Sequence, residues 1–161
     1  MAKPYTMTDT EKITVKNSLK RWALDHISQR ITTSRQVIDQ ARESANSEEK
    51  SSAGDKYETG RAMGHLQQEM HSRQLTEYVK ELAILHSVNT DQLCSEGRVG
   101  AFLQGQDIAF FIAAGLGKHI IEGRTILFLS PQAPLAKFLQ NKKAGDHITF
   151  NNINTTIQMV F

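Results

Sequence analysis

The run Gly54-Asp55-Lys56-Tyr57-Glu58 places two carboxylates three positions apart. Carboxylates are hard oxygen donors of the kind Mg²⁺ takes. On a helix, that spacing puts both on one side. The same spacing also marks a helix start, with an acid at the cap and Glu three residues later. Spacing alone leaves both readings open. Glu48 and Glu49, slightly upstream, form a second acidic pair that serves instead if the turn falls earlier. Lys50, Lys56, Arg61 and Arg73 supply cations to the same region, although charge on a helix is usually a solvated face. Lys142 and Lys143, with Lys137, form the most basic patch of the C-terminal part. It suits either an acidic partner surface or the solubility of a turn.

Other chemistry is excluded or weak. One cysteine, Cys94, rules out a disulfide or a Cys-based zinc site within a single chain, and no neighbouring His is at hand to activate it as a nucleophile. His65 and His71 are six apart, which does not suit two ligands on one helix face, and no His-Glu-x-x-His occurs. Gly115-Leu116-Gly117 lacks a third spaced glycine and a following helix, so it reads as a hairpin turn rather than a nucleotide loop. Met63 and Met70 read as seam filling.

Two long helices are expected to position the carboxylates. Thr8 or Thr10 caps the first, with Asp9 and Glu11 favoured at the positive end of the helix dipole. Leu24, Ile27, Ile31, Ser34, Ile38, Ala41 and Ala45 alternate steps of three and four, an a/d seam. The second helix carries Met63, Leu66 and Met70, then Leu75, Tyr78, Leu82 and Leu85. Residues 46–57, rich in Ser, Asn, Gly and Asp, read as the turn between them. A short polar connection makes the pair antiparallel.

Composition breaks after this hairpin. All seven phenylalanines follow position 100, and no glycine precedes Gly54. Residues 1–96 carry 13 basic and 14 acidic side chains, and residues 97–161 carry 6 and 3. The polar stretch Ser87–Glu96 is the expected boundary. Strands are expected at Val99–Leu103, Ile108–Ala113, Thr125–Leu129, His147–Phe150 and Thr155–Val160, with Asn151-Asn152 as a turn. One short helix is expected from Pro134, burying Leu135, Phe138 and Leu139. The fold class is α+β: a helical hairpin over 1–90 with its tip near 46–58, then a small, mainly antiparallel β domain over 91–161. The chain has 161 residues and a net charge of +2, which argues against a polybasic nucleic-acid coat. No apolar run approaches a membrane span. The N-terminal residues Met-Ala-Lys-Pro-Tyr-Thr lack a secretory core, so a cytoplasmic location is expected.

The segment Ser130-Pro131-Gln132-Ala133-Pro134-Leu135 through Lys142-Lys143-Ala144-Gly145-Asp146 resembles the C-terminal signature of the GreA/GreB transcript-cleavage factors of bacterial RNA polymerase. The resemblance runs back through Gly97-Arg98-Val99-Gly100 and forward to Phe161. It implies a coiled-coil hairpin followed by an FKBP-like domain. In that family the hairpin tip enters the polymerase secondary channel and presents a Gly-Asp-x-x-Glu pair, which Gly54, Asp55 and Glu58 match. Asp55 is then the contact to an Mg²⁺ shared with the polymerase, and Glu58 the support that orients the attacking water. Lys50, Lys56, Arg61, Lys142 and Lys143 would face extruded RNA or the polymerase. The chain would have no turnover or cofactor of its own; it would stimulate the polymerase to cut backtracked RNA. After Glu58 the chain reads Thr59-Gly60-Arg61-Ala62, where the family has Asn-Ala-Glu-Tyr. The near-balanced charge between Arg42 and Arg61 keeps a second reading in view, a regulator that occupies the channel without promoting cleavage.

Overall fold

The computed structural model describes residues 6–50 and 54–161. Helix α1 spans Asp9–Lys50 and helix α2 spans Gly54–Ser87. Together they form an N-terminal helical hairpin. Thr8 is the cap of α1: its Oγ1 accepts the Glu11 N–H at 3.2 Å, and its carbonyl accepts the Lys12 N–H. Asp9 and Glu11 lie in the first turn, as the dipole favours. α1 has 42 residues, about 63 Å of helix. It is longer than expected because residues 46–50, read as turn, remain helical. Residues 54–57 likewise belong to α2. Glu48, Glu49, Lys50 and Lys56 are good helix formers, and the helices absorb the Asn, Ser, Gly and Asp beside them. The connection itself, 51–53, lies outside the described residues.

The remaining elements are β1 (Phe102–Gln104), β2 (Ala109–Ile112), β3 (Gly117–Ile121), β4 (Arg124–Leu129), α3 (Pro134–Leu139), β5 (His147–Phe150), β6 (Ile153–Thr156) and β7 (Met159–Val160). Five strands form one sheet in the order β3-β4-β2-β1-β7, and β5 and β6 form a two-stranded ribbon. Every pair is antiparallel except β2 with β4. Strand β3 replaces part of the expected loop. Gly115–Gly117 is therefore not a hairpin turn, since β2 and β3 are not neighbours. The actual hairpin turn lies at Glu122-Gly123, where both residues have positive φ (50° and 76°). Asn151-Asn152 does join β5 to β6, with Asn151 at φ 50°. The expected last strand is split at Ile157, whose N–H turns aside to the carbonyl of Asp146 at 2.9 Å.

The chain divides into two compact units. One comprises Met1–Leu24 with Ala83–Phe161, and the other Asp25–Leu82. In the first, the pleat sorts side chains to opposite faces of the sheet. Leu103, Phe110, Ile112 and Leu129 join Leu135, Ala136 and Leu139 of α3, with Cys94, Ile148 and Ile157, in one core. On the other face Phe111 meets Phe128 edge-on at 6.0 Å, and Trp22 of α1 stacks on Phe128 at 5.0 Å. Five phenylalanines are completely buried, whereas Phe138 is partly exposed and lies against Phe150. Gly97 threads behind the end of α3. Its N–H donates to the Lys142 carbonyl, and its own carbonyl accepts the Asn141 N–H, both at 2.8 Å. A Cβ at this position would lie 1.8 Å from the Leu139 carbonyl oxygen.

In the second unit, Ile27, Ile31, Ser34 and Ile38 of α1 are buried as their spacing predicts. On α2 the seam runs through Leu82, Tyr78 and Leu75, then His71, Gln68 and Gly64, all half-buried. Met63, Leu66 and Met70 are instead exposed, at 57%, 58% and 66%. Continuing the 3-4 spacing back from Leu75 leads to His71 and Gln68. Met70, five residues from Leu75, sits about 140° around the helix from it. Arg30 lies over the Tyr78 ring, 5.7 Å from its centroid.

Two stability outcomes follow from these contacts. Gly97→Ala forces the backbone off Leu139 and should cost about 2–3 kcal/mol in urea unfolding, the range of an overpacked core. Thr8→Ala removes a cap and should cost about 1 kcal/mol.

Candidate functional site

Asp55 and Glu58 fall in the first turns of α2, immediately after the connection between the helices. Their backbone positions are three apart on a helix and so share one side of it. Asp55 is the second helical residue rather than a cap, since α2 begins at Gly54. Lys50 closes α1, and Lys56 lies between the two acids. The side chains of Glu48, Glu49, Lys50, Asp55, Lys56 and Glu58 lie outside what is described. Arg61 follows on α2 and is exposed. Backbone alone thus gathers the residues 50, 55, 56, 58 and 61 around one helix–helix connection. Among the described residues, no group of three His, Cys, Asp or Glu could hold a metal ion. Two carboxylates are oxygen donors of the kind a magnesium ion takes.

Lys142 and Lys143 belong to the first compact unit, with the Ser-Pro segment. There the residues of the motif carry clear structural duties. Ser130 Oγ accepts the Gln132 N–H at 3.3 Å, its carbonyl accepts the Ala133 N–H, and Pro134 opens α3. Lys143 N–H donates to Asp146 Oδ2 at 2.7 Å, and Gly145 takes φ 96° to complete the turn into β5. Lys142 Nζ lies 5.2 Å from the Phe138 ring centroid. Lys137 and Lys143 are exposed, Lys142 half-buried. Beside them a groove of about 450 Å³ is lined by Arg98, Val99, Pro131, Ala136 and Lys137, among others. It sets two cations over an apolar floor.

In the hairpin unit, His71 lines a groove of about 310 Å³ with His26, Arg30, Ser34 and Tyr78. Polar side chains occupy this stretch between the helices. Arg73 is engaged by Glu69 at 2.7 Å in an exposed pair, an arrangement that contributes little to stability. Met63, Leu66 and Met70 form an apolar stripe facing solvent, not the seam filling expected of them.

One chemical cluster was missed in the sequence. Lys16 is fully buried, and its Nζ donates to the Gln92 carbonyl at 2.7 Å and to Cys94 Sγ at 3.9 Å. Lys20 Nζ donates to the Val88 carbonyl at 2.7 Å, just past the end of α2. The signal was present: running the α1 seam backwards from Ile27 by fours and threes gives Ala23, Leu19 and Lys16, which sets a lysine at a core position. Burial lowers the Lys16 pKa below the usual lysine value, and Arg98 adds to this, while Cys94 opposes it. The folded state therefore binds this proton less tightly than the unfolded chain, so stability rises with pH between the two pKa values. Relative to Lys16→Met, the wild-type chain should gain unfolding free energy as pH climbs toward about 10. Urea titrations of both proteins across that range check the sign, and a wild-type value that falls relative to the variant's with rising pH would refute it. No family model matches the chain, and no curated protein or solved structure matches it either.

Proposed function

We propose that this chain is a Gre-like elongation factor that enters the secondary channel of RNA polymerase and stimulates cleavage of backtracked RNA. The observation that carries the reading is the Gly-Asp-x-x-Glu run at the first turns of α2, in a helical hairpin that precedes an α+β domain. Fold alone does not carry function, so the weight rests on these two acids. At the host's active centre, a magnesium ion held in part by this chain would supply Lewis-acid chemistry for phosphodiester hydrolysis. Asp55 supplies an oxygen donor to that ion. Glu58, one turn on, accepts a hydrogen bond from the attacking water and orients it. Lys50, Lys56 and Arg61 balance the phosphate charge of the extruded 3′ end. Lys142 and Lys143 face an acidic polymerase surface. Turnover belongs to the polymerase, and this chain completes its site.

The charge of the connecting region supports a second reading. Arg42, Lys50, Lys56 and Arg61 nearly balance the five acids between Arg42 and Arg61. A channel occupant that reshapes access without promoting cleavage would carry such a balance.

The test is a backtracked elongation complex with labelled RNA. The wild-type chain should raise the cleavage rate, and Asp55→Asn with Glu58→Gln should lower the stimulated rate by about 100-fold or more while binding persists. Full activity of the double variant would remove both acids from the mechanism. Binding that competes with an authentic cleavage factor, yet leaves hydrolysis unchanged, would select the second reading.

A further inference from the structure

Lys16 and Cys94 lie outside the residues assigned to that function, in the compact unit built on the sheet. Cys94 is the sole cysteine and is 8% exposed, at the margin of the core that includes Leu103, Phe110 and Leu139. Lys16 is 0% exposed. Its amine is held in place by the Gln92 carbonyl at 2.7 Å and contacts Cys94 Sγ at 3.9 Å. The two residues are 78 positions apart. One lies on α1 and the other on the segment that follows α2. A lysine amine fixed against a thiol away from water is an uncommon placement, since lysine is almost never fully buried.

We propose that Lys16 and Cys94 form a covalent bridge on exposure to a peroxide, a sulfur–nitrogen bond that ties α1 to the segment after α2. In the first step the Cys94 thiol attacks hydrogen peroxide. The O–O bond breaks, sulfur is oxidised to a sulfenic acid, the peroxide is reduced and one water leaves. In the second step the neutral Lys16 amine attacks that sulfur. The S–N bond forms, the S–O bond breaks, and hydroxide departs with an amine proton as a second water. The sum is thiol plus amine plus peroxide giving a sulfenamide and two waters. Sulfenic acids condense in this way with nitrogen nucleophiles. Two features favour the bridge over further oxidation of sulfur. The amine is already in contact, so closure is intramolecular. Burial also favours the uncharged amine, the form that attacks. A dithiol reductant reverses the bond, so the pair is a redox latch. By linking positions so distant in sequence, it restricts the unfolded chain as a disulfide does.

The experiment treats the full wild-type chain with hydrogen peroxide, blocks free thiols, and maps peptides by mass spectrometry without reductant. The expected product is a linked pair of peptides containing Lys16 and Cys94, about 2 Da lighter than their sum. Trypsin should no longer cut after Lys16, and dithiothreitol should restore both peptides. The thermal midpoint of the bridged chain should rise by about 5 °C and fall back on reduction. Lys16→Arg cannot close the bridge and should accumulate sulfinic acid at Cys94. If that variant does not fold, the wild-type map decides alone. Three results would overturn the proposal: Cys94 unmodified at peroxide levels that oxidise the exposed Met63 and Met70, sulfinic acid at Cys94 with Lys16 still cleavable, or a disulfide-linked dimer.

Discussion

The middle of the larger unit's sheet, β2 and the second half of β4, is buried on both faces, and that requirement organises the rest. β2 is apolar and buried along its whole length, and β4 is apolar from Ile126 to Leu129. Phe110, Ile112 and Leu129 go to one side, and Phe111 and Phe128 to the other. α3 covers the first side. The second is covered by residues from the beginning of α1, with Trp22 stacked on Phe128 and tilted against His119, whose ring nitrogen donates to the Leu116 carbonyl at 2.8 Å. The part of α1 up to Leu24 thus belongs with the β elements rather than with the rest of its own helix. Polar ties reinforce the apolar ones. Asn17 bonds Thr90 and Asp91, and Lys16 and Lys20 hold the carbonyls of Gln92 and Val88. The segment leaving α2 is thereby fixed at several points within a few residues.

Much of this was legible in the residues, and the failures have physical causes. Thr8, Ile27, Ile31, Ser34 and Ile38 behave as their types and spacing require, because a capping hydroxyl and a 3-4 apolar repeat are local signals. Met63, Leu66 and Met70 misled because apolar character was given more weight than phase; the seam kept its spacing and accepted Gly64, Gln68 and His71 instead. Strand β3 was overlooked because Lys118-His119 dilutes its apolar signal, and its pairing partner is set by tertiary context. Lys16 was overlooked because a lysine is read as surface by default. For Asp55 and Glu58, sequence supplied the spacing and the structure the helical turn, while the chemistry rests on a resemblance carried by other residues.

The two units divide labour along recognisable lines. The larger one has a dense aromatic core and a web of hydrogen bonds to backbone carbonyls. The hairpin unit has a narrow apolar seam that gives way to polar and glycine positions toward the connection. Gly60 and Gly64 line a groove of about 310 Å³ with Ala41 and Ser44, and a methyl group at Gly64 would touch nothing. Helical glycine without a steric reason costs helix stability. Local opening of this part of the hairpin is therefore less costly than in the core.

β3 is the outermost strand of its sheet, and Ile120 on it is 73% exposed. A bare sheet margin with an outward isoleucine invites pairing with another chain. Lys118, exposed two residues earlier, places a charge on that margin. A charge set on an edge strand works against pairing edge to edge, so the ammonium group at 118 is a counterweight to the outward isoleucine.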